Sequence, residues 1–138
     1  MKEDCIFCKI ANGVFGSYTL YEDNDFRVIF DIGPATVGHA LILPKQHAKN
    51  LFELSDEVAA KVLPLAKRVG AVLMEELHCD GMNLVQNNGE TAGQTVFHFH
   101  MHIIPRYEGD RANITWTPGE PDKEKLEALA KKIQEIVQ

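Results

Sequence analysis

The chain has 138 residues, a formal net charge of −6 and 25% charged residues. That is the size and makeup of one soluble globular domain with one core. The acidic balance argues against non-specific binding to nucleic acid, which needs basic patches, although a pocket in an acidic protein can still be locally positive. No apolar run approaches the roughly 18–20 residues that span a bilayer. The N-terminus, MKEDCIFCKI, lacks the apolar core of a secretory signal. A cytoplasmic protein without a membrane partner is the resulting expectation.

Cys5-Ile6-Phe7-Cys8 has the C-x2-C spacing of a metal knuckle or of a redox pair. A redox pair needs a strand before the motif, and so close to the N-terminus there is no room for one. What remains is half of a tetrahedral zinc site or two reduced structural thiols. Cys79 makes the cysteine count odd, a poor basis for a disulfide framework. Tyr18–Glu22 and Phe26–Phe30 read as two antiparallel strands joined across the turn formers Asp23-Asn24-Asp25. Asp31 follows the second strand. Its carboxylate can accept two hydrogen bonds from the vicinal hydroxyls of a ribose, or it can cap the turn before Gly33-Pro34.

Gly38–Pro44, GHALILP, reads as a third strand. His47 follows its exit, either as a third metal ligand or as a surface histidine. Ser55 is an N-cap with acids behind it, opening the main helix. Val58, Val62, Leu65, Val69, Val72, Leu73 and Leu77 form its core stripe, and Pro64 is expected to kink it or to lie within its first turns. The helix is expected to end near His78-Cys79. Gly81–Gln86 is a fourth strand. The loop Asn87-Asn88-Gly89-Glu90-Thr91-Ala92-Gly93 comes next, rich in turn formers, with glycines that let backbone N–H groups converge on an anion.

The loop runs directly into Gln94–Arg106, QTVFHFHMHIIPR. His98, His100 and His102 occupy alternate positions. On a strand they share one face, roughly 6.5–7 Å apart, while Phe99, Met101 and Ile103 point the other way into a core. On a helix they would fan out by about 200° per step. A face of three imidazoles can bind a metal or an anion, or carry acid–base and nucleophilic chemistry. One metal shared by all three is strained, since the end rings lie about 13 Å apart against a bond of about 2 Å. The middle ring suits a nucleophile that accepts a phosphoryl or nucleotidyl group. His102, with donors from Gln94, Thr95 and the glycine loop, suits the phosphate oxygens and the leaving group. Beyond Arg106, Asn113–Thr117 reads as a short strand and Asp122–Val137 as a helix striped with Leu126, Leu129, Ile133 and Ile136. That helix is expected to cover the sheet or a partner subunit.

His-x-His-x-His followed by two apolar residues resembles the signature of the histidine-triad (HIT) family of nucleotide hydrolases and transferases, and the likeness extends over about Cys5 to Tyr107. The resemblance implies an α+β fold with an antiparallel sheet. With the elements read above, that means about five strands, one long helix and a C-terminal helix. Residues 1–138 form one domain, with a core at about 5–107 and a C-terminal extension at about 108–138. The resemblance also implies a twofold homodimer. It makes His100 the nucleophile that forms a covalent nucleotidyl-histidine, His102 the phosphate partner, and Gln94 and Asn87 phosphate contacts. Gly93, Thr95 and Val96 add further contacts. Asp31, with Ile32 beside it, would hold the ribose. Phe7, and less directly Ile6 and Leu41, would line a pocket for a purine base. One branch of the family carries a structural zinc, and Cys5, Cys8, His47 and His98 fall where that branch places its ligands. The activity expected is release of a purine nucleoside monophosphate from an amine or a phosphate. A nucleotide-binding sensor or scaffold with weak hydrolysis is the alternative.

Overall fold

The computed structural model describes residues 1–137. In chain order the elements are α1 (Ile6–Ala11), β1 (Thr19–Glu22), β2 (Phe26–Phe30), β3 (Ala40–Pro44), α2 (Asp56–Leu77), β4 (Gly81–Val85), a 3-10 turn (Glu90–Ala92), β5 (Met101–Arg106) and α3 (Lys123–Val137). The strands form one sheet in the order β1-β2-β3-β5-β4, with every neighbouring pair antiparallel. This is the expected α+β architecture with one addition: α1 lies where no helix was anticipated. Among the described residues, no helix is long and apolar enough to cross a membrane.

Alternation along the strands builds two unequal cores. Phe26, Val28, Ala40, Ile42, Phe99 and Ile103 pack with Val58, Val62, Leu65, Ala66 and Leu73 of α2. Ile29, Leu41 and Leu43 face the opposite way and pack with Ala11 of α1, flanked by Phe7 and Ile10. Cross-strand partners point to the same side of a sheet. Because Leu41 pairs with His102, His102 lies on the α1 face. Its neighbours Met101 and Ile103 sit on the α2 face.

Ser55 caps α2 by accepting the Val58 N–H at 3.2 Å, as expected. Val72 does not belong to the core stripe: it is 59% exposed, because the buried arc closes on Leu73. Gly38 enters β3 with φ +90°, and a Cβ there would run into the Leu77 side chain. Only glycine fits both demands at that corner.

Two expectations about the C-terminal half need correction. The ladder of the histidine segment covers only Met101–Arg106, leaving Gln94–His100 outside it. Continuing the β3–β5 register from Ile42↔Met101 would set Phe99 opposite Pro44. Pro44 has no N–H to donate, and its carbonyl is taken by His98 Nε2 at 2.8 Å. Phe99 instead donates its N–H to the Ala48 carbonyl at 2.7 Å. The second correction concerns the tail. Asn113–Thr117 is not a strand, and α3 does not cover the sheet. None of its residues is buried, and Leu126, Leu129, Ile133 and Ile136 are all exposed.

Candidate active site

The alternation of the three histidines survives outside the ladder, but the rings lean together. His100 and His102 meet edge-to-face with centroids 4.9 Å apart, closer than the spacing of an ideal strand. Each imidazole has its own set of partners. His98 meets Cys5, Cys8 and His47; His100 meets the His98 carbonyl and Phe7; His102 meets His39.

The hydrogen bonds settle where the protons sit. His100 Nδ1 lies 2.7 Å from the carbonyl oxygen of His98. An oxygen only accepts, so Nδ1 carries the proton and Nε2 presents a lone pair. Ala35 N–H donates to His39 Nδ1 at 2.9 Å, which puts the His39 proton on Nε2. That N–H reaches His102 Nδ1 at 2.9 Å, leaving the His102 proton on Nε2. The site thus holds one nitrogen with a free lone pair at His100 and one N–H donor at His102. The chain that prepares the donor starts at a backbone amide.

Burial keeps these rings neutral. It lowers His102 from 6.5 to about 4, with further push from His100 and His39. Burial also lowers His100, against the hydrogen bond to His98, and lowers His39, against the nearby Asp31 carboxylate. Asp31 Oδ2 stands 3.7 Å from His39 Nε2, and Oδ1 accepts the Gly33 N–H at 2.8 Å. One carboxylate oxygen thus does the turn-capping work, and the other faces the histidines. Ile32 beside it is 86% exposed.

The glycine loop is braced from within. Gly89 and Gly93 take φ of +94° and +101°. Gln94 is 2% exposed; its amide donates to the carbonyls of Lys49 at 2.7 Å and Val96 at 3.0 Å and accepts the Gly89 N–H at 2.8 Å. Those bonds occupy both amide hydrogens, so Gln94 holds the loop in shape. Asn88 is likewise spent on Gln86 and the Leu51 N–H. The Asn87 side chain carries no such bond among the described residues and stands beside Gly93. Thr95 is exposed and Val96 half-buried.

On the other side of His100, Phe7 sets its ring edge-on at 4.9 Å, and Leu41 is buried beneath in the smaller core. Ile6 is 52% exposed. His39 is the functional residue that sequence reading left unassigned. It lies two positions before Leu41 and so shares its face, but only the pairing of Leu41 with His102 makes that the face of the triad.

Cys5, Cys8, His47 and His98 bring their ligand atoms within 4.8 Å of one another. Cys5 Sγ and Cys8 Sγ each lie 3.4 Å from His98 Nδ1. Cys8 Sγ lies 3.3 Å from His47 Nδ1, and the two Nδ1 atoms are 3.2 Å apart. His98 Nε2 donates to the Pro44 carbonyl, so its Nδ1 offers a lone pair on which three groups converge. One lone pair cannot satisfy three hydrogen-bond donors, whereas a cation satisfies the whole set. Zn–S bonds near 2.3 Å and Zn–N bonds near 2.05 Å at tetrahedral angles give edges of about 3.5 Å (S···N) and about 3.3 Å (N···N). The observed spacings match. Asp31, His39 and His102 also cluster, but there the His39 N–H already fills the space as a hydrogen bond.

A family model, HIT domain, matches residues 12–109. The chain belongs to the HIT family. Among its relatives, the protein named Protein hit of Bacillus subtilis is 44% identical over 115 residues, 83% of this chain and 79% of that protein. Adenosine 5'-monophosphoramidase hnt1 of Schizosaccharomyces pombe is 39% identical over 130 residues, 94% of this chain and 95% of that protein. Of solved structures, SMU.412c from Streptococcus mutans is 40% identical, with a TM-score of 0.94 over 100% of this chain and 88% of that one. A zinc-bound histidine triad family protein from Mycobacterium smegmatis is 34% identical, with a TM-score of 0.75 over 98% of each chain.

The buried neutral rings make stability depend on pH. Between about pH 4 and pH 6.5 an unfolded chain protonates His102 while the folded HIT domain leaves it neutral. The unfolded state then binds more protons, so stability is full above pH 6.5 and declines as pH falls toward 4. The expected slope is up to about 1.4 kcal/mol per pH unit from His102, with His39 acting in the same direction. Urea unfolding at pH 5 and pH 7 measures it, and His102→Gln should remove its share. Equal midpoints at the two pH values would contradict the assignment.

Proposed function

We propose that this HIT protein is a nucleotide hydrolase or nucleotidyl transferase that cleaves a purine nucleoside monophosphate from an amine or phosphate leaving group. In this reading His100 Nε2 attacks the α-phosphorus, and the bond to the leaving group breaks as His102 Nε2–H supplies a proton. Water then displaces the imidazole from phosphorus and frees the nucleoside monophosphate. Asn87, Thr95 and the backbone around Gly93 and Val96 take the non-bridging oxygens, Asp31 and Ile32 the ribose, and Phe7 the base. Gln94 contributes through the loop it braces.

The observation that carries this reading is the 2.7 Å hydrogen bond from His100 Nδ1 to the His98 carbonyl. It puts the proton of the neutral ring on Nδ1 and leaves Nε2 free, as a nucleophile at phosphorus requires, while burial is what favours the neutral form. The phosphoramidase activity named for the S. pombe relative supports the same class of reaction. The alternative, a nucleotide sensor or scaffold with weak hydrolysis, uses the same binding residues. Incubation with adenosine 5'-phosphoramidate separates them. The enzyme reading expects AMP release far above the free-solution rate, lost by about a thousandfold or more in a folded His100→Ala variant. Release at the free-solution rate favours the sensor, and full activity in the variant rejects the mechanism.

The metal in this reading is a structural zinc on Cys5, Cys8, His47 and His98. When bound, it cross-links the N-terminal helix to the histidine segment and takes no part in bond breaking. Elemental analysis of protein purified without chelators should give one zinc per chain, and Cys5→Ala should lose it. Zinc retained in full by Cys5→Ala would reject this site.

The reading also includes a homodimer and a cytoplasmic setting. β4 is an edge strand. Between it and α2 runs an apolar groove of about 730 Å³ lined by Leu63, Gly70, Met74, Met82 and Leu84, on the face of the sheet opposite the histidines. Among the described residues none of α3 is buried, yet the chain superposes on the S. mutans structure with a TM-score of 0.94. So high a score over the whole chain requires residues 111–137 to run the same way in both structures. A second copy that holds the tail accounts for both facts. Sedimentation equilibrium should give twice the chain mass at micromolar concentration; a monomer throughout that range would dismiss the dimer.

A further inference from the structure

We propose that α1 couples the metal site to the nucleotide site, with Phe7 as the positioning residue that transmits the coupling to His100. This rests on the reading that a nucleotide phosphate docks at His100. α1 is a six-residue helix, far shorter than a helix that stands alone in water. Its own anchorage is thin. Only Cys8 and Ala11 are buried, and the core beneath consists of Ala11 with Ile29, Leu41 and Leu43. Asn12 adds a tie from its side chain to the Lys45 carbonyl at 3.1 Å.

The metal ligands Cys5 and Cys8 bracket Ile6 and Phe7. Cys5 is the N-cap of α1, and Cys8 closes its first turn, donating its N–H to Cys5 Sγ at 3.3 Å. Fixing both sulfurs against His98 and His47 fixes the rotation of α1 about its axis. The direction of Phe7 follows. Its ring stands at 89° to His100 with centroids 4.9 Å apart, and 6.2 Å from His98. A second route reaches the same imidazole, because the carbonyl that orients His100 belongs to the ligand His98. Cross-linking α1 to His98 therefore organises the wall and the orientation of His100 together.

Such coupling is reciprocal: if zinc tightens nucleotide binding by some factor, the nucleotide tightens zinc by the same factor. The test uses AMP and zinc as probes on the full chain. Calorimetry gives the AMP affinity of zinc-loaded protein and of chelator-stripped protein shown to be folded by circular dichroism. Chelator competition gives the zinc affinity with and without saturating AMP. The expected result is AMP binding at least about fivefold tighter with zinc, the low end of typical couplings, with the same factor recovered from the zinc titration. A chain that unfolds on stripping overturns the coupling through α1, since the metal would then act on the whole fold.

Phe7→Ala is the decisive variant. It removes nucleotide contact as well, so the readout is the ratio of affinities with and without zinc, not either affinity. The expected outcome is retained zinc with that ratio falling toward one. Equal AMP affinity in folded loaded and stripped protein overturns the coupling, and an unchanged ratio in Phe7→Ala overturns the role of Phe7. Failure of AMP to bind either form overturns the nucleotide reading itself, and this inference with it.

Discussion

One hydrogen bond decides what the histidine cluster can do: His100 Nδ1–H to the carbonyl of His98. An imidazole free in water exchanges its proton between two nitrogens. Here the other tautomer would set a ring lone pair against a carbonyl oxygen and leave that buried carbonyl without a donor. An unmade hydrogen bond of this kind costs roughly 1–3 kcal/mol, enough to bias the tautomer by about 5- to 150-fold. The bias holds only while the His98 carbonyl stays in place. His98 is 0% exposed, its Nε2 is tied to Pro44, and its Nδ1 points into the cysteine pair. The chemistry of His100 therefore depends on constraints applied to its neighbour two residues earlier.

The same burial that orients the rings removes their charge. His39, His100 and His102 are all pushed below their ordinary values by desolvation. A protonated His100 would have no lone pair to offer, so neutrality serves the nucleophilic role proposed for it. It also means the site meets an anion without a resident cation on the triad. The net charge of −6 gives a phosphate no long-range attraction, and beyond about 8 Å salt screens such fields in any case. In the proposed function, recognition of a phosphate falls to short-range donors: His102 Nε2–H, the Asn87 amide and the backbone N–H groups of a loop opened by two glycines with positive φ. Donors of this kind act only on an oxygen placed within hydrogen-bond reach. The bracing of the loop by Gln94 is thus as consequential as any direct contact.

The strands and α2 were legible in the sequence because alternation and helical spacing over long stretches leave few choices. Phe26–Phe30 reads from its own pattern, and Ser55 announces the start of α2. In the metal cluster C-x2-C is a local signal, whereas His47 and His98 were assigned to it only by the resemblance, because the fold and not their spacing brings them to the cysteines. α1 escaped notice because six residues carrying two cysteines have no helical period to detect. Its helix exists because the cysteines and Ala11 are held against the sheet. His39 was missed for a related reason. A single histidine opening an apolar strand says nothing until the register sets Leu41 opposite His102. The roles of Gln94 and Asn87 separate only in three dimensions, where one amide is consumed by backbone and the other is not.

Why three histidines at alternate positions should do three different jobs follows from where the strand ends. His102 lies inside the ladder, flanked by β3, and so meets the histidine at the entrance of that strand. His98 lies beyond Pro44, where the ladder cannot continue, and drops toward α1. His100 falls between the two regimes, wedged between Phe7 and His102, with no side-chain partner for its Nε2 among the described residues. A slip of one residue in the β3–β5 register would turn all three rings into the α2 core and bring Phe99, Met101 and Ile103 to the α1 face. The division of labour is therefore set by one proline that stops a ladder and by the large core on the far side, which holds Phe99 and Ile103 and so keeps the histidines on the α1 face.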